Sequence, residues 1–223
     1  MARRSKPVPR VADTGPTPAL ALAETRAWVE RAVIGLRLCP FARAAHASGR
    51  VRYACSRARD ADALLLDLAA EIEGLLAAGP QAIETTLLVH PWALLEFDAY
   101  NAFLDVADAA LDALGATGVL QVASFHPDYR FDGASPGDLA NATNRSPYPV
   151  LQLLREASVA AAVDAGADAK AIAAANIARL RRLGPGGWER LRAFCRADAC
   201  RSSGSTSLAR TAGRTRRGRR PCA

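Results

Sequence analysis

Hydrophobic residues are spaced in two different ways along the chain, and the two kinds of spacing alternate. Three segments place apolar residues on one face of a helix, with a repeat of three to four positions. Three shorter segments, each after one of the helical segments, are continuous or partly alternating apolar runs, as expected of strands. The spacing predicts helices over residues 24–38, 60–78 and 97–115 and strands over residues 50–56, 85–90 and 119–126.

The order of these elements predicts an α/β fold. A strand, a helix and a second strand in this order form a crossover that is nearly always right-handed and joins parallel strands. We therefore expect a small, mainly parallel sheet of about three strands, a βαβαβ core, covered by helices. Further apolar periodicity predicts three C-terminal helices, over residues 150–165, 168–183 and 188–199.

Charge is distributed unevenly, and this distribution marks the ends of the predicted domain. The first 12 residues carry four basic side chains and no acid, and the last 23 carry seven arginines and no acid. The whole chain has a net charge of +7, but residues 13–200 hold 18 basic and 22 acidic side chains. We expect a disordered basic N-terminal segment (1–19), a single α/β domain (20–197) and a disordered Arg-rich tail (198–223).

The sequence shows no segment that would direct the chain into or across a membrane. The N-terminal apolar piece, ALALA at residues 19–23, is broken by Glu24 and is too short for the core of a signal peptide. No apolar stretch approaches the length of a membrane span. The five cysteines have no paired metal-ligand spacing, and their odd number favours reduced thiols. We expect a cytoplasmic protein that does not contact membranes.

Two of the three histidines follow predicted strands. The runs LLVHP (87–91) and VASFHP (122–127) each end in a His-Pro pair, at His90 and His126. In a parallel sheet both imidazoles lie at the edge where open α/β sheets usually bind ligands. Because a neutral imidazole can act as a general base, His90 and His126 are candidate catalytic residues. The alternative is that each ring bonds a nearby carbonyl and closes its strand.

Asp128 lies two positions after His126 and could face the same ligand. Two histidines and one carboxylate can hold a divalent metal, so His90, His126 and Asp128 form one hypothetical ligand set. Their spacing matches no established metal-binding pattern, and we predict a site without a metal. No cofactor is indicated by the sequence.

Cys39 is a third catalytic candidate, because it lies at the end of the first predicted helix, before Pro40. The partial negative charge of a helix C-terminus raises the pKa of a thiol. Activation of Cys39 as a nucleophile would therefore need a neighbour such as His126, Arg37 or Arg43. A small buried residue is the alternative interpretation.

The long polar loop over residues 127–149 ends in the segment NRSPYP. Asn144 and Ser146 suit turn and helix-capping positions before the helix predicted from residue 150. The N–H groups of a helix start attract anions, and Arg145 adds a two-pronged donor. Asn144, Arg145, Ser146 and Asp128 are therefore candidate ligand-binding residues. An ordinary capped loop, with Arg145 paired to an aspartate, is the alternative.

Four segments of the chain resemble the signature blocks of a known bacterial family. They are LRLCPFA (36–42), TTLLVHP (85–91), QVASFHPDYRF (121–131) and TNRSPYPVLQLLREASV (143–159). The sequence resembles, from about residue 25 to about residue 188, the uncharacterised family called domain of unknown function 1415. This resemblance implies a cytoplasmic bacterial protein and implies no reaction. The tail after residue 197 departs from the family pattern, and a frame error in the gene would also explain it.

These observations favour a protein that binds a small anionic metabolite at the carboxyl edge of the sheet. One form of this hypothesis is an enzyme that uses His90 and His126, with Cys39 as a further candidate. A second form is a ligand-binding module without catalysis. A third hypothesis is association with nucleic acid or another polyanion through the Arg-rich tail, which we expect to be weak and nonspecific. The sequence does not predict the oligomeric state.

Overall fold

The computed structural model of the chain describes residues 15–164 and 168–211, with side chains up to residue 200 apart from residue 162. Most of the predicted basic N-terminal segment (1–19) and the end of the predicted Arg-rich tail (198–223) lie outside the described residues. The predicted domain boundary at residue 197 falls within the last helix, whose backbone extends through Thr211. The division into domain and tails stays a prediction.

The described residues form six α-helices and four strands. In chain order they are α1 (Pro18–Trp28), α2 (Ala42–Ala47), β1 (Val51–Cys55), α3 (Ala61–Ala77), β2 (Thr85–Val89), α4 (Phe97–Ala113), β3 (Leu120–Phe125), β4 (Val150–Arg155), α5 (Glu156–Asp164) and α6 (Ala169–Thr211). A π-helical segment, Val29–Ile34, continues α1, and a 3-10 helix, Leu139–Thr143, precedes β4. Side-chain caps define two helix starts, since Thr17 accepts a bond from the Leu20 N–H and Asp60 accepts one from the Ala63 N–H.

The fold is α/β, as predicted, but the sheet has four strands rather than about three. The strand order is β1-β2-β4-β3. β1 and β2 are parallel, whereas β4 is antiparallel to both of its neighbours. The prediction of a mainly parallel sheet is therefore wrong, and the sheet is mixed.

The error arises from β4, because residues 150–155 were predicted to begin a helix. The run VLQLLR is short and rich in leucine, and apolar periodicity alone does not distinguish a buried strand from a buried helix. Val150, Leu151 and Leu153 are fully buried in the structure. Their position between β2 and β3, with helices on both faces, explains why strand pairing overrides local helix propensity.

β1, β2 and β3 nevertheless run in the same direction, since β4 is antiparallel to both β2 and β3. Val89, at the carboxyl end of β2, and Phe125, at the carboxyl end of β3, both pair with Val150. His90 and His126 therefore lie at one edge of the sheet, on either side of the start of β4.

Each face of the sheet packs against a separate group of helices. On one face Leu88, Leu151 and Leu153 pack with residues of α3 and α4. On the other face Leu87, Val89 and Val150 pack in a cluster with residues of α1, the π-helical segment and α6. The alternation of side chains along β2 thus supplies both halves of the core.

The two helices predicted over residues 168–183 and 188–199 are found as one helical segment with a break. Gly184 lies in the left-handed region, at φ 70° and ψ 168°, and Pro185 follows it. A side chain at this φ would be strained, so glycine suits the break. Among the described helices none is both long enough and apolar enough to cross a bilayer.

Candidate functional site

The two histidine rings at the carboxyl edge are completely buried. His90 Nδ1 lies 3.0 Å from the Ala93 carbonyl oxygen, and His126 Nε2 lies 3.3 Å from the Leu94 carbonyl oxygen. Both rings therefore bond the same turn, which follows β2. This is the arrangement that the alternative interpretation predicted, in which each histidine bonds a nearby carbonyl.

The bonds to these rings indicate their tautomers. The Asp128 N–H donates to Nδ1 of His126 at 3.1 Å, which leaves the proton on Nε2, where it faces Leu94. In His90 the proton is on Nδ1, because this atom faces a carbonyl oxygen. Nε2 of His90 is buried and has no hydrogen-bond partner among the described residues. Both rings are therefore assigned as neutral.

Burial lowers the pKa of both imidazole rings. Burial lowers the pKa of His90 to about 4, an effect that the Ala93 carbonyl opposes and His126 reinforces. The pKa of His126 is also lowered, again mainly by burial. At neutral pH the rings act as neutral hydrogen-bonding groups.

Tyr100 of α4 lies between the two histidines. Its ring centroid is 5.8 Å from that of His90 and 5.0 Å from that of His126. Its hydroxyl donates to the Val150 carbonyl at 2.8 Å and accepts from the Phe125 N–H at 3.0 Å. The hydroxyl thus joins the end of β3 to the start of β4.

The hypothetical metal ligands do not gather around a common point. Asp128 is exposed and meets His126 through its backbone N–H, and both nitrogens of His126 face protein atoms. Within residues 15–164 and 168–211 no group of three or more His, Cys, Asp and Glu residues is arranged to hold a metal ion.

Cys39 lies on the opposite face of the sheet from the histidines. It lines a cavity together with Phe125 and Asn144, while both histidines contact Tyr100 of α4. Burial raises the pKa of the Cys39 thiol, although the backbone N–H groups of Phe41 and Ala42 act to lower it. His126 does not line the cavity that Cys39 lines, whereas Arg37 and Arg43, the other two neighbours named for activation, line a surface depression together with Cys39.

The segment NRSPYP is bonded directly to the two strand ends. The His126 N–H donates to the Asn144 carbonyl at 3.2 Å, and the His90 N–H donates to the Pro149 carbonyl at 3.1 Å. These bonds place Arg145 and Ser146 at the carboxyl edge of the sheet. The anion-attracting helix start expected near Val150 does not exist, because β4 begins there. An anion at this edge would therefore be bound by side chains and not by the N–H groups of a helix start.

Arg145 is held by the loop that precedes it. Its Nε donates to the Tyr129 carbonyl at 3.2 Å, and Nη2 donates to the Pro136 carbonyl at 2.7 Å. Burial lowers the pKa of Arg145, Asp128 raises it, and the nearby Arg192 lowers it again. An arginine pKa stays far above neutral pH, so the side chain is cationic.

Arg145 and Ser146 line a cavity of about 290 Å³ at this edge. Its walls come from three parts of the chain: the NRSPYP segment, α1 and its extension, and α6. Two further arginines on α6, Arg192 and Arg196, also line it. The remaining wall is largely aromatic and aliphatic, with Trp28 and Trp188 as its largest side chains.

One acidic side chain lies in the same cavity. Glu24 of α1 is only 8% exposed, and the Tyr148 hydroxyl donates to its carboxylate at 2.6 Å. Burial raises the pKa of Tyr148, and the bond to Glu24 raises it further, so the phenol keeps its proton. The cavity therefore holds three cationic groups and one fixed carboxylate.

The structure thus separates the residues that the sequence analysis grouped. His90 and His126 lie together but line none of the cavities described here, whereas Arg145 and Ser146 line the cavity at the edge. Asn144 donates to the Ser124 carbonyl at 3.1 Å and, like Cys39, lines a different cavity.

Sequence reasoning missed the contributions of α1 and α6. A spacing signal for them exists, because Glu24, Trp28 and Ala32 recur every four residues on α1 and its extension. Trp188, Arg192 and Arg196 show the same spacing on α6. An acid in line with a buried tryptophan on an otherwise apolar helix face was the observation that could have indicated the cavity.

Comparison with known proteins identifies the family. No curated protein and no solved structure matches the chain. The family model described as "Protein of unknown function (DUF1415)" matches residues 21–190. Of the residues named above as lining the cavity at the carboxyl edge, only Arg192 and Arg196 lie outside this range. The chain therefore belongs to the DUF1415 family.

Proposed function

We propose that this protein binds a small anionic molecule in the cavity at the carboxyl edge of its sheet. The observation that carries the proposal is that Arg145, Arg192 and Arg196 line one cavity together with Ser146. Arg145 and Arg192 raise each other's electrostatic energy, because like charges repel. An anion between them would relieve this repulsion.

Two of these arginines, Arg145 and Arg192, differ in how firmly the protein holds them. Arg192 pairs with Glu189 at 3.2 Å, but both side chains are substantially exposed. Such a surface ion pair contributes at most about 1 kcal/mol, so exchanging it for a ligand costs little. Arg145 is instead fixed by two carbonyls, which gives the site one rigid cation and one adjustable cation.

The remaining wall indicates what else the ligand carries. Trp28 and Trp188 offer apolar surface, and Nε1 of Trp188 is a buried donor without a partner among the described residues. Glu24 is a hydrogen-bond acceptor fixed by Tyr148. These features favour a compact ligand with an anionic group, a flat or apolar body and a hydrogen-bond donor.

The site supports binding better than histidine catalysis. Neither His90 nor His126 lines the cavity, and both are buried against the turn after β2. The proposal is therefore a ligand-binding protein, with an enzyme acting through these histidines as the weaker alternative.

A cytoplasmic location is part of this proposal. Among the described residues, Cys39, Cys55 and Cys195 form no disulfide bond. Thiols persist in the reducing cytoplasm, whereas small secreted domains tend to oxidise them.

Titration with benzoate, 4-aminobenzoate and uncharged benzamide tests the binding proposal. Binding is measured by calorimetry and by tryptophan fluorescence, since Trp28 and Trp188 line the cavity. We expect 4-aminobenzoate to bind more tightly than benzoate, because its amine can donate to Glu24, and benzamide to bind weakest. Arg192→Gln should weaken benzoate binding roughly tenfold, the effect of losing one charged hydrogen bond.

Arg182→Gln is the matched control, because Arg182 is an exposed arginine of α6 that lines neither this cavity nor the one lined by Cys39 and Asn144. Equal binding of benzamide and benzoate, or equal effects of Arg192→Gln and Arg182→Gln, would contradict the proposal.

A further inference from the structure

A second cavity, of about 420 Å³, lies beneath the helices on the sheet face that carries Leu87. It extends along this face from Thr85, at the start of β2, to Phe125, at the end of β3. Its volume is within the range of cavities that bind small molecules in proteins. Trp28 is shared with the anion cavity, but Arg145 and Arg192 are not part of its wall.

The wall of this second cavity is mainly apolar. Its large apolar side chains include Trp28, Val33, Leu87, Phe125, Leu154 and Val159. These residues come from α1 and its extension, three strands and α5, so the apolar surface surrounds the space instead of forming one side of it. Water is a poor occupant of such a space, because each buried water needs two to four polar partners.

Most of the polar side chains in the wall already bond to the protein. Thr85 Oγ1 donates to the Leu153 carbonyl at 2.7 Å and accepts from Gln152 Nε2 at 3.0 Å. Arg50 and Glu84 form an ion pair at 2.8 Å. A ligand in the cavity therefore meets few unpaired polar groups, and an apolar body suits it.

This cavity meets an open depression on the protein surface at Cys39 and Pro40. Both residues line the cavity and also line the depression, whose volume is about 590 Å³. The depression is cationic, because three arginines line it, namely Arg37, Arg43 and Arg179, against one acid, Asp168.

One of these arginines is held in place by the backbone of the same segment. Arg179 of α6 donates from Nη1 to the Arg37 carbonyl at 3.1 Å and to Asn176 Oδ1 at 3.0 Å. Asn176 in turn donates to the Leu38 carbonyl at 2.7 Å. The positive charge is thus fixed beside Cys39 and Pro40, where the apolar cavity meets the surface.

We propose that this pair of spaces binds a single-chain amphiphile with a carboxylate head. The hydrocarbon chain would occupy the apolar cavity, and the carboxylate would lie at the arginines of the depression. An apolar space that ends beside fixed cations is complementary to a molecule with an apolar chain and an anionic end. This site shares only Trp28 with the proposed anion site at the carboxyl edge, and its cations are different.

Calorimetric titration with decanoate and with uncharged decanol, both below their aggregation concentrations, tests the proposal. Ser158 of α5 lines the cavity, so Ser158→Phe should fill part of it and weaken decanoate binding about tenfold or more. Ala157→Phe is the matched control, because Ala157 is an exposed neighbour outside the wall. If Ser158→Phe does not fold, a second pair on α2 is used. Ala44→Trp changes a residue that lines the cavity, and Ala47→Trp, its control, changes one that does not.

The head group is tested separately with Arg43→Gln, against Arg182→Gln as the control. Arg43→Gln should weaken decanoate binding roughly two- to fivefold, as expected of an exposed ion pair, and leave decanol binding unchanged. Arg192→Gln should not affect either probe, whatever its effect on benzoate. Absence of saturable decanoate binding, or no difference within either cavity-filling pair, would overturn the proposal. Equal effects of Arg43→Gln on decanoate and decanol would overturn the placement of the carboxylate.

Discussion

His90 and His126 occupy equivalent positions after β2 and β3, and their rings act on one turn. The rings bond the successive carbonyls of Ala93 and Leu94, and the backbone carbonyls of both histidines accept a bond from the residue three positions later. Leu94 has a positive φ of 53°, a conformation that a leucine rarely adopts. The bond from His126 to this residue supports the strained turn, which explains why imidazole rings occupy a fully buried position here.

Burial of His90 predicts that stability depends on pH. The pKa of His90 is lowered from 6.5 to about 4 in the folded protein. Between pH 6.5 and about pH 4, His90 is protonated in the unfolded chain and neutral in the folded protein. Acid therefore lowers the free energy of unfolding through this range. The loss amounts to about 3 kcal/mol, at roughly 1.4 kcal/mol per pH unit. His126 acts in the same direction, since its pKa is also lowered.

His90→Asn isolates this effect, because the asparagine amide can still donate to the Ala93 carbonyl. At about pH 7.5 we expect the variant to be less stable than the wild type, owing to lost packing against Tyr100. At about pH 4.5 the difference should shrink, because only the wild type loses the His90 contribution on acidification. Urea unfolding at both pH values measures the two differences. A difference that does not change with pH would show that His90 titrates normally.

At the scale of elements, β4 determines how the edge of the sheet is built. By entering between β2 and β3 it carries the NRSPYP segment to their carboxyl ends, where His90 and His126 bond its backbone. Val150 pairs with both neighbouring strands, and the Tyr100 hydroxyl bonds its carbonyl. The position of Arg145 in the anion cavity therefore depends on the pairing of β4.

Truncation of a β4 side chain tests the importance of this strand. Leu153 is fully buried in the core on the α3 and α4 face, so Leu153→Ala should lower the free energy of unfolding by about 2–5 kcal/mol. Leu66 of α3 is 72% exposed, and Leu66→Ala should change it by less than about 0.5 kcal/mol. Chemical denaturation of both variants provides the comparison. Similar losses for the two variants would be incompatible with a buried central strand.

Sequence reasoning succeeded where local signals were complete. The helix predicted over residues 60–78 is found as Ala61–Ala77, because Asp60 caps its start and the Gly79-Pro80 pair follows its end. It failed at β4, where six residues rich in leucine fit either a helix or a strand, and only pairing with distant strands selects the strand. The candidate site shows the same division. Arg145 and Ser146 lie at the edge in the structure, but the four-residue spacing on α1 and α6 does not by itself indicate that these helices complete the cavity around them.

At the scale of the whole molecule, positive charge is concentrated in two places that must be distinguished. One is the set of arginines in and beside the cavities, within a region where acids outnumber bases overall. The other is the last 23 residues, with seven arginines and no acid. A polyanion can bind a charged tail without a defined site, whereas a small anion needs groups that converge. The two kinds of binding should therefore be separable by truncation.

Deletion of residues 201–223 tests this separation. Each phosphate contact by an arginine releases a counterion, so binding of a random DNA duplex to the full chain should weaken steeply as salt increases. We expect a dissociation constant of about 10⁻⁴–10⁻⁶ M near physiological salt for such nonspecific contacts. The truncated protein should lose this binding and its salt dependence in a fluorescence anisotropy titration. Its affinity for benzoate should be unchanged, because the arginines that line the edge cavity all precede residue 201. If the truncated protein still bound the duplex with the same salt dependence, the polyanion surface would lie among the remaining basic groups, which include the four in the first 12 residues and the arginines of the cavities.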